Sequence, residues 1–200
     1  MYLTVWCLGL GLSRAQQIKM TADFGAQNKI INQLLDFQNI AIENFKFKGE
    51  ALKGKVPVIV LKEFEKGEPV KTDTLLNGFN NREYMEIDSS VYTFRFFAEL
   101  DNENRKFRTW IRHYSYGAGK RQYVLRKDRF GYAMKDFFGN KKELTWDVSE
   151  PIPLLAMITP HEQANGWGSY CEVVQADVKP EDLGRHFGIP HYYLITLWFL

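Results

Sequence analysis

Cysteine is almost absent: the 200 residues hold only Cys7 and Cys171. With Cys7 inside an apolar N-terminal run, the remaining chain keeps one thiol and has no internal disulfide to form, so it folds by packing alone. Charge of one sign is lacking too. Lys and Arg total 26 against 24 Asp and Glu, which removes the global field that would recruit nucleic acid. Histidine is scarce, with four in the chain, and no apolar run reaches the roughly 20 residues a membrane-spanning helix needs. There is no internal repeat and no low-complexity tract. What is plentiful is aromatic side chain, 15% of residues, which suits wide β-sheets and also suits a binding surface.

Residues 1–15 read as a secretory leader. Leu3, Val5, Trp6, Leu8, Leu10 and Leu12 make a short apolar stretch, and Ser13-Arg14-Ala15 ends it with small residues at the two positions a signal peptidase reads. Cleavage is expected before Gln16. The stretch carries no Lys or Arg ahead of it, so either the start codon is placed too late, the favoured reading, or the signal is atypical. Cys7 follows Trp6 within the apolar run, which does not suit a lipid-modified cysteine. Without residues 1–15 the chain also loses Arg14 and is nearly neutral.

Beyond Ala15, period-two alternation and β-branched or aromatic runs dominate, separated by turn residues. Strands are expected at 40–48, 56–64, 70–75, 91–100, 106–114, 122–127, 132–138, 153–158, 169–176 and 192–199. The alternation in 40–48 slips at Asn44. Glu65-Lys66-Gly67-Glu68-Pro69 is a turn between two of these strands. Ile30, Ile31, Leu34 and Leu35 share a helical face. A second short helix is expected over 180–187, where Pro180 suits the first turn, Glu181 and Asp182 favour the positive end of the dipole, and Gly188 with Pro190 stops it. The last strand is apolar on both faces apart from Thr196, as a central sandwich strand would be; a second use for it is pairing with another chain. The expected fold is mainly β, a two-sheet antiparallel β-sandwich with one or two short helices, forming a single domain over 16–200.

The strongest local anomaly is charge clustering in 105–129. Arg105, Lys106, Arg108, Arg112, Lys120, Arg121, Arg126, Lys127 and Arg129 face Asp128 alone. If Asp101 to Lys106 forms a hairpin turn, Glu99 stands opposite Arg108, Phe97 opposite Trp110 and Arg95 opposite Arg112. One sheet face then shows Arg95, Phe97, Arg108, Trp110 and Arg112, while Phe94, Phe96, Leu100, Phe107 and Ile111 enter the core. Arginines beside aromatic rings suit an anionic or sugar ligand. The plainer reading is a solvated face whose charges pair with acids such as Glu83, Glu86 and Asp88.

Other motifs fail on inspection. His161-Glu162 begins like the zinc-protease pattern, but Asn165 stands where the second histidine belongs and Gly166 weakens the helix. Cys171 with His161 could make a nucleophilic pair, although alternation places Cys171 among Tyr170, Val173 and Val174 as a buried, inert thiol. His186 and His191 are separated by Gly188 and Pro190 and cannot share a helical face. Gly117-Ala118-Gly119-Lys120 reads as a hairpin loop, since Tyr114 and Arg121 stand where a phosphate loop needs glycine and a hydroxyl. Carboxylates are abundant, but spacing alone does not place two of them for glycoside hydrolysis.

Several stretches resemble a family of exported, β-rich Bacteroides-type proteins of unknown function: Ala15-Gln16, Gly49-Glu50-Ala51-Leu52-Lys53-Gly54-Lys55, Lys62-Glu63-Phe64, Val70-Lys71-Thr72-Asp73-Thr74, Cys171-Glu172-Val173-Val174-Gln175 and Pro190-His191-Tyr192-Tyr193-Leu194-Ile195. The resemblance implies a secreted β-rich domain and carries no active-site residues. The expectation is a non-enzymatic binding or assembly module of the cell envelope, in the periplasm or on the surface of a Gram-negative bacterium. Its ligand would be a glycan, an anionic envelope component or a protein, held by Arg95, Arg108, Trp110 and Arg112. No metal, cofactor or nucleic acid is expected. The alternative is a hydrolase using His161 and Cys171, or a carboxylate pair.

Overall fold

Alternating and doubly apolar segments translate into thirteen strands among the described residues. A computed structural model describes residues 16–164 and 166–200, so the leader expected over 1–15 lies outside the described residues. In chain order the elements are β1 (Gln17–Phe24), α1 (Lys29–Phe37), β2 (Ile40–Lys48), β3 (Pro57–Glu65), β4 (Glu68–Asn77), α2 (Arg82–Met85), β5 (Val91–Asp101), β6 (Lys106–Arg112), β7 (Arg121–Val124), β8 (Ala133–Asp136), β9 (Leu144–Asp147), β10 (Ile152–Ile158), β11 (His161–Glu162), β12 (Gly168–Ser169), α3 (Cys171–Gln175), α4 (Leu183–Phe187) and β13 (His191–Phe199). Two antiparallel sheets pack together, one of six strands ordered β7-β6-β5-β2-β1-β9 and one of five ordered β4-β3-β13-β10-β8. The sandwich expected from alternation is the fold. No helix among the described residues is long and apolar enough to cross a membrane.

Aromatic rings fill the space between the sheets. Phe45 and Phe94, neighbours on β2 and β5, lie 5.2 Å apart, and Phe47 meets Phe199 of the opposite sheet edge-on at 5.3 Å. Such pairs add to the burial energy through their quadrupoles, by roughly 0.5–1.5 kcal/mol each. The five-stranded sheet is covered on its other face as well. Phe64 of β3 stacks on Tyr192 of β13 at 4.6 Å, and Val173, Leu183 and Ile189 close over them. Burial on both faces is why β13 reads as a continuous apolar run.

Three expectations change. Of the strand expected over 169–176 only Ser169 pairs, in β12, and Cys171–Gln175 form α3 instead, because Tyr170, Val173 and Val174 sit at i, i+3 and i+4 and pack together on the five-stranded sheet. Cys171 is consequently exposed, not a buried thiol. Pairing of the last strand with another chain is ruled out by its position, since β13 is hydrogen-bonded to β3 on one side and β10 on the other. Strands β1, β9 and β11 were not expected. β1 alternates correctly, with Ile18 and Met20 fully buried, but its polar residues shorten the visible pattern.

The slip at Asn44 has a structural meaning. No bulge interrupts the pairing of β2 with β1 or β5. Instead both faces of the first half of β2 are buried: Ile42 lies on the outer face near α1, and Glu43 points inward with Phe45 and Phe47. The helix α1 has an N-cap, Asn28, whose side chain accepts the N–H of Ile30 at 2.9 Å. Its apolar residues Ile30, Ile31, Leu34 and Phe37 remain exposed.

The short helix expected over 180–187 forms as a 3₁₀ turn, Pro180–Asp182, running into α4, and Gly188 ends it in the left-handed region at φ 66°. α4 crosses the β3–β4 turn closely. A Cβ on Gly184 would stand 2.9 Å from the Gly67 Cα and 2.9 Å from the Tyr192 ring. Gly184→Ala is therefore expected to lower stability by about 1–3 kcal/mol through overpacking, despite alanine's better helix propensity; thermal unfolding of the purified variant measures it.

Candidate functional site

The hairpin of β5 and β6 adopts the expected register. Arg95 pairs with Arg112, Phe97 with Trp110, Glu99 with Arg108 and Asp101 with Lys106. Phe94, Phe96, Phe107 and Ile111 are buried in the core, Leu100 is half-buried against it, and the other set of side chains faces out. The 105–129 window, however, does not form one patch. Arg108 pairs with Glu99, Arg121 with Asp73 at 4.0 Å, Arg126 with Glu65 and Arg129 with Glu162 at 2.7 Å. Their partners lie on several elements, so the chain spreads these cations around the molecule. Glu86 is paired with Arg82 instead.

Three arginines are left over among the described residues: Arg105 in the turn between β5 and β6, and Arg95 and Arg112 on the outer face. Among the described residues Arg95 and Arg112 form no ion pair, although they stand directly opposite each other across the strands. Like charges in that position repel. Arg112 lays its guanidinium over the Trp110 ring at 5.2 Å, and Lys120 approaches the same ring at 5.4 Å. Trp110 packs on Phe97 at 5.2 Å. A Cβ on Gly117 would stand 2.7 Å from an Arg112 side-chain nitrogen, so the missing side chain at 117 leaves room for the arginine.

Arg95, Phe97, Trp110 and Arg112 line a groove of about 590 Å³ on the outer face of the six-stranded sheet, together with Asn44, Lys46, Thr93, His113, Tyr114 and Asp23. The groove continues into a hollow of about 810 Å³ beside α1, sharing Asp23, Asn44, Arg95 and Phe97 and adding Asn28 and Ile31. Its floor is aromatic, and its polar groups are cations, amides, hydroxyls, an imidazole and one carboxylate. Such a surface offers stacking for a sugar ring and paired donors for an anion.

Residues the sequence did not single out make a second cavity, also of about 590 Å³, at the sandwich edge between β1, β2, β8 and the 137–143 segment. Glu43 lines it. Only 5% exposed, Glu43 makes no hydrogen bond or ion pair among the described residues. Burial pushes its carboxyl up to about 7, and the charges of Asp136 and Asp23 add to the rise. The one sequence signal was the slip at Asn44, which left an acid in phase with Phe45 and Phe47.

A third cluster is structural. The donor atoms of Glu63, Glu65 and His191 lie within 4.8 Å of one another, but Arg126 pairs with both carboxylates and supplies the positive charge a metal would bring. Burial holds the His191 ring below its ordinary pKa and so neutral. Its Nε2–H then donates to Glu63 at 3.0 Å, and its Nδ1 accepts the Tyr132 hydroxyl at 2.6 Å. The other histidine of interest, His161, bonds through Nδ1 to the Phe187 carbonyl at 3.0 Å, and no hydrogen bond ties it to exposed Cys171. The thiol version of a hydrolase has no assembled pair.

Two measurements follow from this geometry. Unfolded Glu43 loses its proton near pH 4.5 and the native group near 7, so between these values the folded state binds more protons and stability falls as pH rises. Glu43→Gln is expected to be about 1–3 kcal/mol more stable than the parent at pH 8 and close to it at pH 4, read by denaturant unfolding. Arg95→Thr is expected to raise the melting temperature by about 1–3 °C in low salt, an effect lost in high salt, because it removes a like-charge pair. Compared with protein-family models, curated proteins and solved structures, the chain has no match.

Proposed function

We propose that the protein is an exported binding module of the bacterial cell envelope, working in the periplasm or at the cell surface, and that the outer face of its six-stranded sheet holds an anionic glycan. The observation that carries this reading is the cross-strand pair Arg95 and Arg112, two cations left without an acid beside an aromatic floor of Phe97 and Trp110. An anionic group between the two guanidiniums turns their repulsion into a shared clamp. A sugar ring stacks on Trp110, whose face is already polarised by Arg112 and Lys120.

Arg108 stands on the same face and is held by Glu99 in a two-oxygen pair. It contributes to the rim, while Arg95, Trp110 and Arg112 make the contacts. The leader-like residues 1–15 and the resemblance to exported Bacteroides-type proteins support the compartment.

The test is binding of the protein to polygalacturonate, chondroitin sulfate and, as a neutral control, dextran. Retention on the anionic polymers and not on dextran is expected, weakening with salt as the cationic contacts are screened. Trp110→Ala and Arg112→Ala are each expected to weaken binding about tenfold or more, and Arg108→Ala about threefold or less. Equal binding by the parent and an Arg95→Ala, Trp110→Ala, Arg112→Ala triple variant removes the groove from the account.

A further inference from the structure

The cavity beneath β1 and β2 holds an acid that folding alone does not explain. Glu43 is 95% removed from solvent by its 5% exposure, faces the cavity and has no hydrogen-bonding or ionic partner among the described residues. Its carboxyl oxygens are not enclosed in the core, as the Thr196 hydroxyl is, but open onto the cavity. An apolar residue would pack there without cost, as Phe45 and Phe47 do two and four places on. Asp136 of β8 and Asp23 of β1 stand close enough to act on its charge. Asp136 is held in place, its Oδ1 accepting the backbone N–H of Phe138 at 2.8 Å. The remaining polar side chains of the cavity are Thr21, Lys141 and Lys142.

We propose that this cavity is an acid–base site that hydrolyses a glycosidic bond of an anionic glycan, with Glu43 as proton donor and Asp136 as the carboxylate that activates water. The set of groups selects the reaction. Acyl transfer needs an activated nucleophile and an oxyanion hole, and phosphoryl transfer needs several cations converging on one phosphate. Cleavage of an acetal needs one carboxyl that is protonated at working pH and one carboxylate, in separate environments. Glu43, largely buried, and Asp136, which accepts the backbone N–H of Phe138, are two acids that the cavity offers for these roles. Lys141 and Lys142 at the cavity wall suit the acidic substituents of the sugar.

The placement links the cavity to the groove. It shares Asp23 and Phe24 with the hollow beside α1, and that hollow shares Arg95 and Phe97 with the Trp110 groove. On this proposal the substrate runs along these shared residues, from Trp110 toward Glu43. The identity of the substrate thus rests on the binding reading above, while the acid–base pair does not. In the reaction the Glu43 carboxyl gives its proton to the glycosidic oxygen as the bond from that oxygen to the anomeric carbon breaks. Water adds to the anomeric carbon and passes a proton to Asp136. The products are a hemiacetal and the free hydroxyl of the leaving sugar; a proton returns to Glu43 through solvent, and nothing is oxidised or reduced.

The experiment incubates the protein with polygalacturonate and chondroitin sulfate and follows new reducing ends, in parallel with binding to the same polymers. The parent is expected to release reducing ends from a polymer it binds, with activity falling as pH rises past about 7. Glu43→Gln and Asp136→Asn are expected to lose at least 100-fold in rate while binding is unchanged. Binding without new reducing ends, or reducing ends released equally by both variants, overturns the acid–base site and leaves the binding reading standing. Loss of binding overturns the binding reading instead. Independently of substrate, carboxyl-carbon NMR is expected to show one glutamate titrating near 7 that is missing in Glu43→Gln and moves down in Asp136→Asn; an ordinary value for Glu43 overturns the proposal.

Discussion

Burial of β13 on both faces is the constraint on which the rest depends. Tyr193, Ile195, Leu197 and Phe199 face the six-stranded sheet, and Tyr192 and Leu194 face the layer made by α3 and α4. One strand thus belongs to two cores. Packing on either side fixes the register on the other, because a slip of one residue would exchange the two sets. With no disulfide among the described residues, this shared strand supplies the cohesion that a cross-link would otherwise give. Its one polar exception, Thr196, leaves a hydroxyl oxygen buried without a partner among the described residues.

The polar groups that matter lie where this double packing stops. At the outer face of the six-stranded sheet nothing covers β5 and β6, so Arg95 and Arg112 can stand opposed in water. At the sandwich edge, β8 is short and the 137–143 segment leaves space, so Glu43 has a cavity beside it. Where packing is complete, charged side chains are engaged with one another, as in the Tyr132–His191–Glu63–Arg126 chain. The contrast between that satisfied network and the two unsatisfied places is what separates structure from candidate site. Features that stabilise the fold pair their charges; Arg95, Arg112 and Glu43 do not.

Much of the outer face was legible in sequence because a hairpin is local. Asp101 to Lys106 closes a short turn, and period two then forces Glu99 opposite Arg108 and Arg95 opposite Arg112. The same rule failed at Tyr170, Val173 and Val174, where three apolar residues fit a strand and a helix equally, and contact with Leu183 and Ile189 chose the helix. It also misled over Cys171, whose burial was inferred from neighbours that point elsewhere once the segment is helical. The 105–129 window shows a different limit. Its arginines are adjacent in sequence but find Asp73, Glu65 and Glu162 on distant elements, and no local pattern names those partners.

The sequence by itself determined the class of fold, most strands, the β5–β6 register and the central place of the last strand, since these follow from alternation, turn residues and a run apolar on both faces. Tertiary structure alone decided which charges stay unpaired and which acid is buried. Glu43 and Asp136 are 93 positions apart and meet because β2 and β8 lie on facing sheets near one open edge. Periodicity is a property of neighbours along the chain, whereas desolvation and charge pairing depend on whatever folding brings through space.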